Sequence, residues 1–158
     1  MEKTATGGGV LGLRLNSLER VDWQRWTAVY ARLALSAAFL SGIASRFGLY
    51  GKNEGYGNFA NFVKYTAEVN SFMPPSSILF LAWAATIAEL GFGVALLFGI
   101  WQRWMALGSA ILLLLFGIAM AISFGIRSPL DYSVFSASAA ALMLVFYPAS
   151  RSGEPSSP

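Results

Sequence analysis

Residues 83–104 read WAATIAELGFGVALLFGIWQRW, and the reading of this stretch decides the fold. It is apolar almost throughout, holds one carboxylate, Glu89, and closes on the polar and aromatic run Trp101, Gln102, Arg103, Trp104. Together with the residues before it, it makes an apolar run over 78–100. About 17–25 apolar residues cross the hydrocarbon core of a bilayer. No water reaches that depth, so the backbone must bond within its own segment, which means a helix. The strict alternation that marks a membrane β-strand is missing.

Three more blocks of the same kind lie at about 28–48, 104–126 and 130–147, the last near the short limit. Of the 158 residues, 56% are hydrophobic and 12% charged. An ordinary soluble domain carries about twice that charged fraction. The expected fold class is therefore all-α: an integral membrane four-helix bundle. The chain divides into a tail and juxtamembrane segment over 1–27, a four-span membrane domain over 28–147 and a disordered polar tail over 148–158. A short juxtamembrane helix is expected from about Ser17, with Trp23, Trp26 and Tyr30 at headgroup level. No cleavable signal peptide is expected, because the first apolar block starts only near Ala28.

The one long loop, 51–77, opens on the turn-rich GKNEGYGN. It continues with FANFVKYTAEVNSFM, where Phe59, Phe62, Val63, Thr66, Val69, Asn70 and Met73 recur at helical spacing. This predicts an amphipathic helix lying on the outer interface between spans 1 and 2. The PPSS at 74–77 ends it, and Ser76 or Ser77 is placed to cap the second span. Small residues four apart (Ala34, Ala38 and Gly42; Gly91, Ala95 and Gly99; Ser133, Ala137 and Ala141) suit close helix packing. Ser36, Ser109, Ser123 and Ser136 are expected to bond to carbonyls within their own helices.

Charge sets the orientation. Lys3, Arg14, Arg20, Arg25, Arg103 and Arg151 fall on the side of the termini, and Arg46, Lys52, Lys64 and Arg127 on the other. The bias places both termini in the cytoplasm. The net charge of +3 forms no basic stripe, so no nucleic-acid partner is expected. The sequence has no Cys and no His. That removes disulfides, thiol exchange, His or Cys ligation of haem and the usual zinc site, so no metal is expected. No glycine pattern matches a phosphate loop.

Glu89 is the leading candidate for function, and equally a buried, hydrogen-bonded group that fixes the helix register. At its depth an ionised carboxylate costs about 2.5–3.5 kcal/mol, so it must be neutral or find a partner. Ala85, Glu89 and Gly93 share one helix face, with the Gly91–Ala95–Gly99 ladder nearly opposite. One face could thus pack tightly while the other presents the carboxyl group inside the bundle. Arg32 is the first partner to consider, although Glu89 lies about 9 Å deeper by helical rise and Arg32 can instead extend to the headgroups. Asp131, in SPLD at 128–131, reads best as part of a helix start, with Ser128 at the N-cap, Pro129 at N1 and Asp131 in the first turn. Arg46 lies on the same side and could neutralise Asp131. Tyr56, Tyr65, Trp83 and Tyr132 gather near the outer surface, either as an aromatic belt or as the lining of a quinone headgroup site. Arg103 between Trp101 and Trp104 reads as an interfacial anchor.

Three stretches resemble the DoxX family: RLALSAAFLSGIASRFGLYG at the first span, AELGFGVALLFGIWQR at the second and RSPLDYSVFSASAAA at the fourth. The resemblance runs over about 28–147. It implies a small bacterial inner-membrane protein of four helices, with some relatives tied to quinone-linked oxidoreductases and others to redox-protection complexes. Only Arg32, Glu89 and Arg103 match recurring charged positions, and no catalytic residue is assigned. The expected function is an accessory or anchor subunit of a membrane redox complex, with a quinone or lipid pocket near Glu89. The alternative is a small proton-coupled transporter acting as a homodimer. A membrane enzyme ranks last. Expected partners are the lipid bilayer and a redox-enzyme subunit or a second copy of the chain.

Overall fold

The computed structural model describes residues 23–51 and 54–146. The juxtamembrane helix expected from Ser17, the two tails, and Lys3, Arg14, Arg20, Lys52 and Arg151 lie outside the described residues. The described residues are helical with no strand, as an all-α fold requires. In chain order the helices are α1 (Trp23–Arg46), α2 (Phe59–Val69), α3 (Pro75–Phe98), α4 (Gln102–Phe124), α5 (Arg127–Asp131) and α6 (Val134–Phe146).

Helices α1, α3 and α4 are long and apolar enough to cross a membrane. Their packing is that of a membrane bundle. Small and polar side chains sit inside: Ala28, Ser36, Ala82, Ala106, Ser109, Ala110 and Ala141 are buried. Large apolar ones face out, among them Leu79, Ile87, Ile111, Leu115 and Ile122. Without a hydrophobic drive between helices in lipid, close packing and cross-helix hydrogen bonds hold the bundle. Helix α1 pairs mainly with α3, and α4 with α6. Leu35, Phe39, Leu96 and Leu144 fill the centre.

The fourth apolar block differs in detail from its expectation. Arg127–Asp131 forms a one-turn helix of its own, Ser133 turns left-handed at φ 54°, and α6 starts only at Val134. Ser128 therefore caps nothing: the residue at the N-cap of α5 is Ile126, with no side-chain bond. Asp131 ends α5, exposed, and accepts from Arg127 Nε at 3.2 Å. The described α6 has 13 residues, about 20 Å of helix against a core of about 30 Å.

Other expectations move as well. Helix α3 begins with Pro75 at N1 and no side-chain cap, because Ser77 Oγ donates to the Pro74 carbonyl rather than accepting an amide. The tight face of α3 carries Gly93, not Gly91. A Cβ at Gly93 would stand 3.1 Å from Leu40 and 3.2 Å from Phe39, whereas nothing approaches Gly91. Glu89 and the close-packed glycine thus share one face, turned towards α1. Ser109 bonds within its helix, but Ser36 donates across to the Gly93 carbonyl and Ser123 to the Val69 carbonyl.

Helix α2 is amphipathic as read, with Asn58 Oδ1 accepting from the Asn61 amide at its N-cap. Its buried face, Phe62, Thr66 and Val69, lies on α1, α3 and α4. It covers protein rather than resting its apolar side only on the interface. The register explains why. Gly42 faces Glu89 and Arg46 reaches Thr86, so the first three turns of α3 run past the end of α1. Helix α2 and the loop before it fill that step.

Candidate functional site

The site lies under α2, where α1 ends. Arg46, the last residue of α1, and Glu89 of α3 are each 4% exposed. Arg46 Nη2 donates to both carboxylate oxygens of Glu89, each at 2.7 Å. Its Nη1 donates to Thr86 Oγ1 at 3.1 Å, and that hydroxyl donates in turn to the Ala82 carbonyl at 2.7 Å. The Phe62 ring covers the guanidinium, with its centroid 3.7 Å from Cζ. A cation held against an aromatic face gains from the ring quadrupole, more so when dry. Arg46 Nε is buried without an acceptor. Gly42 leaves the room for the carboxylate: a Cβ there would be 3.3 Å from Oε2.

An aromatic chain extends from this pair. Phe59 lies 4.5 Å from Trp83 and 5.9 Å from Phe62 between ring centroids, and Phe47 stacks on Phe59 at 6.0 Å. Tyr56 meets Phe62 edge-on at 5.1 Å and Tyr65 at 5.4 Å. Tyr65 continues to Phe124 at 6.3 Å. Phe47 and Trp83 are about half exposed, so one flank of the chain opens outward.

The loop is fastened so that Tyr56 stays in place. Its amide donates to Ser45 Oγ at 2.9 Å and its carbonyl accepts from Asn61 Nδ2 at 2.9 Å. Gly55, at φ 61°, lies so close to Ser45 that a Cβ would collide with its Oγ. Burial pushes the Tyr56 phenol up to about 12, with the neighbouring Tyr65 adding to the shift and Arg46 opposing it. Tyr65 is also raised, by burial first and then by Tyr132 and Glu68. Both phenols therefore hold their protons at neutral pH and can donate to an acceptor.

Several sequence candidates end up elsewhere. Glu89 faces inward, but its partner is Arg46 and not Arg32. Arg32 lies towards the other end, where a Cβ at Gly99 would stand 2.5 Å from its Nη1. Helical rise had already separated the two, and the α1–α3 register sets Gly42, not Arg32, against Glu89. Arg46 is committed to Glu89 and leaves Asp131 to Arg127. Tyr56 and Tyr65 come together, Trp83 joins them through Phe59, and Tyr132 stands exposed beside the group. Sequence reasoning missed Gly42, Phe62 and Thr86 as parts of the site. Thr86 carried a signal, since it sits three residues before Glu89 on the same helix face.

This chain matches the family model described as DoxX over residues 27–122. The chain belongs to the DoxX family. The match takes in both halves of the ion pair, α2 and most of α4, and stops short of α5 and α6. No curated protein and no solved structure matches it. Among the described residues no group of three or more acidic side chains is placed to hold a metal ion. Chemically the arrangement offers a neutralised ion pair, two protonated phenols and aromatic ring faces.

Proposed function

We propose that this DoxX protein is an accessory subunit of a membrane redox complex that offers a quinone-type headgroup a site beside Arg46 and Glu89. The observation that carries the reading is the buried pair roofed by Phe62 and extended by Tyr56, Tyr65, Phe59 and Trp83. Glu89 takes up the charge of Arg46, so the site favours a neutral guest over an anion. Tyr56 and Tyr65 supply donors for carbonyl oxygens, and the Phe59–Trp83 pair supplies a stacking surface. The half-exposed Phe47 and Trp83 give a headgroup a lateral way in from lipid. In this reading the chain binds and positions, and the electron transfer belongs to a partner. The reading includes a bacterial inner membrane with both termini in the cytoplasm, which puts the site at the outer leaflet. The transporter reading is weaker, because Glu89 has both oxygens engaged by Arg46 where a coupling carboxylate must exchange its proton.

The test is purification of the tagged chain from quinone-containing membranes, followed by solvent extraction and measurement of quinone per protein. Quinone well above the bulk lipid ratio, reduced by Tyr56→Phe and by Trp83→Ala, together with a co-purifying redox subunit, is the expected result. Quinone at the bulk ratio and insensitive to both substitutions overturns the site.

A further inference from the structure

At the opposite end of the bundle, Arg32 has no counter-charge among the described residues. Arg32 belongs to α1 and is mostly buried, and its Nε has no acceptor. Its guanidinium rests against Gly99, the left-handed C-cap of α3 at φ 71°. The Ala95 and Leu96 carbonyls there are already taken by the Gly99 and Ile100 amides. A helix C-terminus offers only about half a negative charge, so the described residues compensate Arg32 only in part. All four carboxylates among the described residues, Glu54, Glu68, Glu89 and Asp131, belong to the other end, and neither ion pair includes Arg32. Arg103 follows Gly99 by four residues and is exposed.

We propose that Arg32 is the centre of an anion site for a phosphate ester, filled in the membrane by the headgroup of an anionic phospholipid. Exposed aromatics place Arg32 at headgroup level. Tyr30 is 75% exposed two residues away, and Trp101 and Trp104 are 76% and 71% exposed on either side of Arg103. Such residues mark the interface. A guanidinium presents a planar fork that fits two phosphate oxygens at once. Gly99 leaves the room for the guanidinium: a Cβ there would stand 2.5 Å from Nη1. The site differs from the one at Glu89 in position, charge and guest, and it does not depend on the quinone reading.

The experiment uses the full chain in nanodiscs of equal phosphatidylglycerol and phosphatidylcholine, released for native mass spectrometry. The wild type is expected to retain one phosphatidylglycerol per chain, preferred by about fivefold over phosphatidylcholine, the preference that one arginine near the surface provides. Arg32→Gln should bring the preference to about one, while Arg127→Gln, at the far end, should leave it intact. A preference that survives Arg32→Gln, or no preference in the wild type, overturns the lipid site. If Arg32→Gln does not insert, Arg32→Met decides: it keeps the length and apolar stem but removes the charge, so a lost preference supports the proposal and an unchanged one overturns it. A second arm adds inorganic phosphate to delipidated protein and follows the melting temperature. Stabilisation that needs Arg32, without any lipid preference, keeps the anion site but overturns the lipid as its occupant.

Discussion

Arg46 and Glu89 each answer a problem the other creates. A buried ion pair is weak evidence for stability, since desolvation offsets most of the attraction. Removing one partner is a different matter, because it strands a charge. Arg46→Gln is therefore expected to destabilise the protein by about 3–5 kcal/mol, and Arg46→Met with Glu89→Leu together by much less. Denaturant unfolding in detergent over the four-member cycle measures this. Tyr56 gives a second prediction at the same scale. Its phenol titrates near 12 in the folded chain against an ordinary 10.0. Below pH 10 both states keep the proton, so the phenol leaves stability independent of pH. Between 10 and about 12 the unfolded chain ionises first, and stability falls as pH rises. A phenolate absorbance titration of the wild type against Tyr56→Phe should lose its highest step in the variant. At this scale Glu89 was legible, because a lone carboxylate in an apolar run must turn inward. Its partner was not, because the sequence does not state the register between α1 and α3.

Helix α2 works as a cover, and its ends decide whether it stays down. Asn58 caps it at one end, while at the other Ser123 donates to the Val69 carbonyl and also meets Ser71 at 3.0 Å. Asn58→Ala removes the only acceptor for the Asn61 amide and should lower stability by about 1 kcal/mol. The loss should be local: amides of α2 should exchange faster, with those of the α1 interior unchanged. Equal acceleration in both would mean that α2 opens only with the whole bundle. The helical period of α2 was plain in the sequence, because Phe59, Phe62, Thr66 and Val69 recur at the right spacing. The break between α5 and α6 was not. Pro129 is a genuine helix-start signal, but the chain uses it inside a single turn and restarts after Ser133. Just past the break the Phe135 ring beds against Gly117 of α4, a contact no local pattern announces.

The described residues form two helix pairs, α1 with α3 and α4 with α6; a ring on a glycine joins the pairs at Phe92 and Gly108, and another packs the second pair at Phe135 and Gly117. Phe92 of α3 lies on Gly108 and Phe135 of α6 on Gly117, so that an added Cβ would fall 2.6 Å from either ring. Gly117→Ala must displace the Phe135 ring and should cost about 1–3 kcal/mol by overpacking, with Phe135→Leu in the same chain restoring much of it on unfolding. The bundle was legible in outline from hydropathy alone, and its orientation can be tested with equal simplicity because the sequence has no cysteine. Glu68 and Arg103 are exposed at opposite ends of the bundle, one on α2 and the other on the first turn of α4. With cytoplasmic termini, Glu68→Cys should react with an impermeant maleimide on intact cells, and Arg103→Cys only after the membrane is opened. The reverse pattern would exchange the two leaflets: the aromatic site at Arg46 and Glu89 would then face the cytoplasm, and Arg32 would meet the outer leaflet. The two proposed sites differ in the guest assigned to them, a neutral ring at one and a phosphate at the other. Fixing the orientation therefore decides which pool of molecules each one meets.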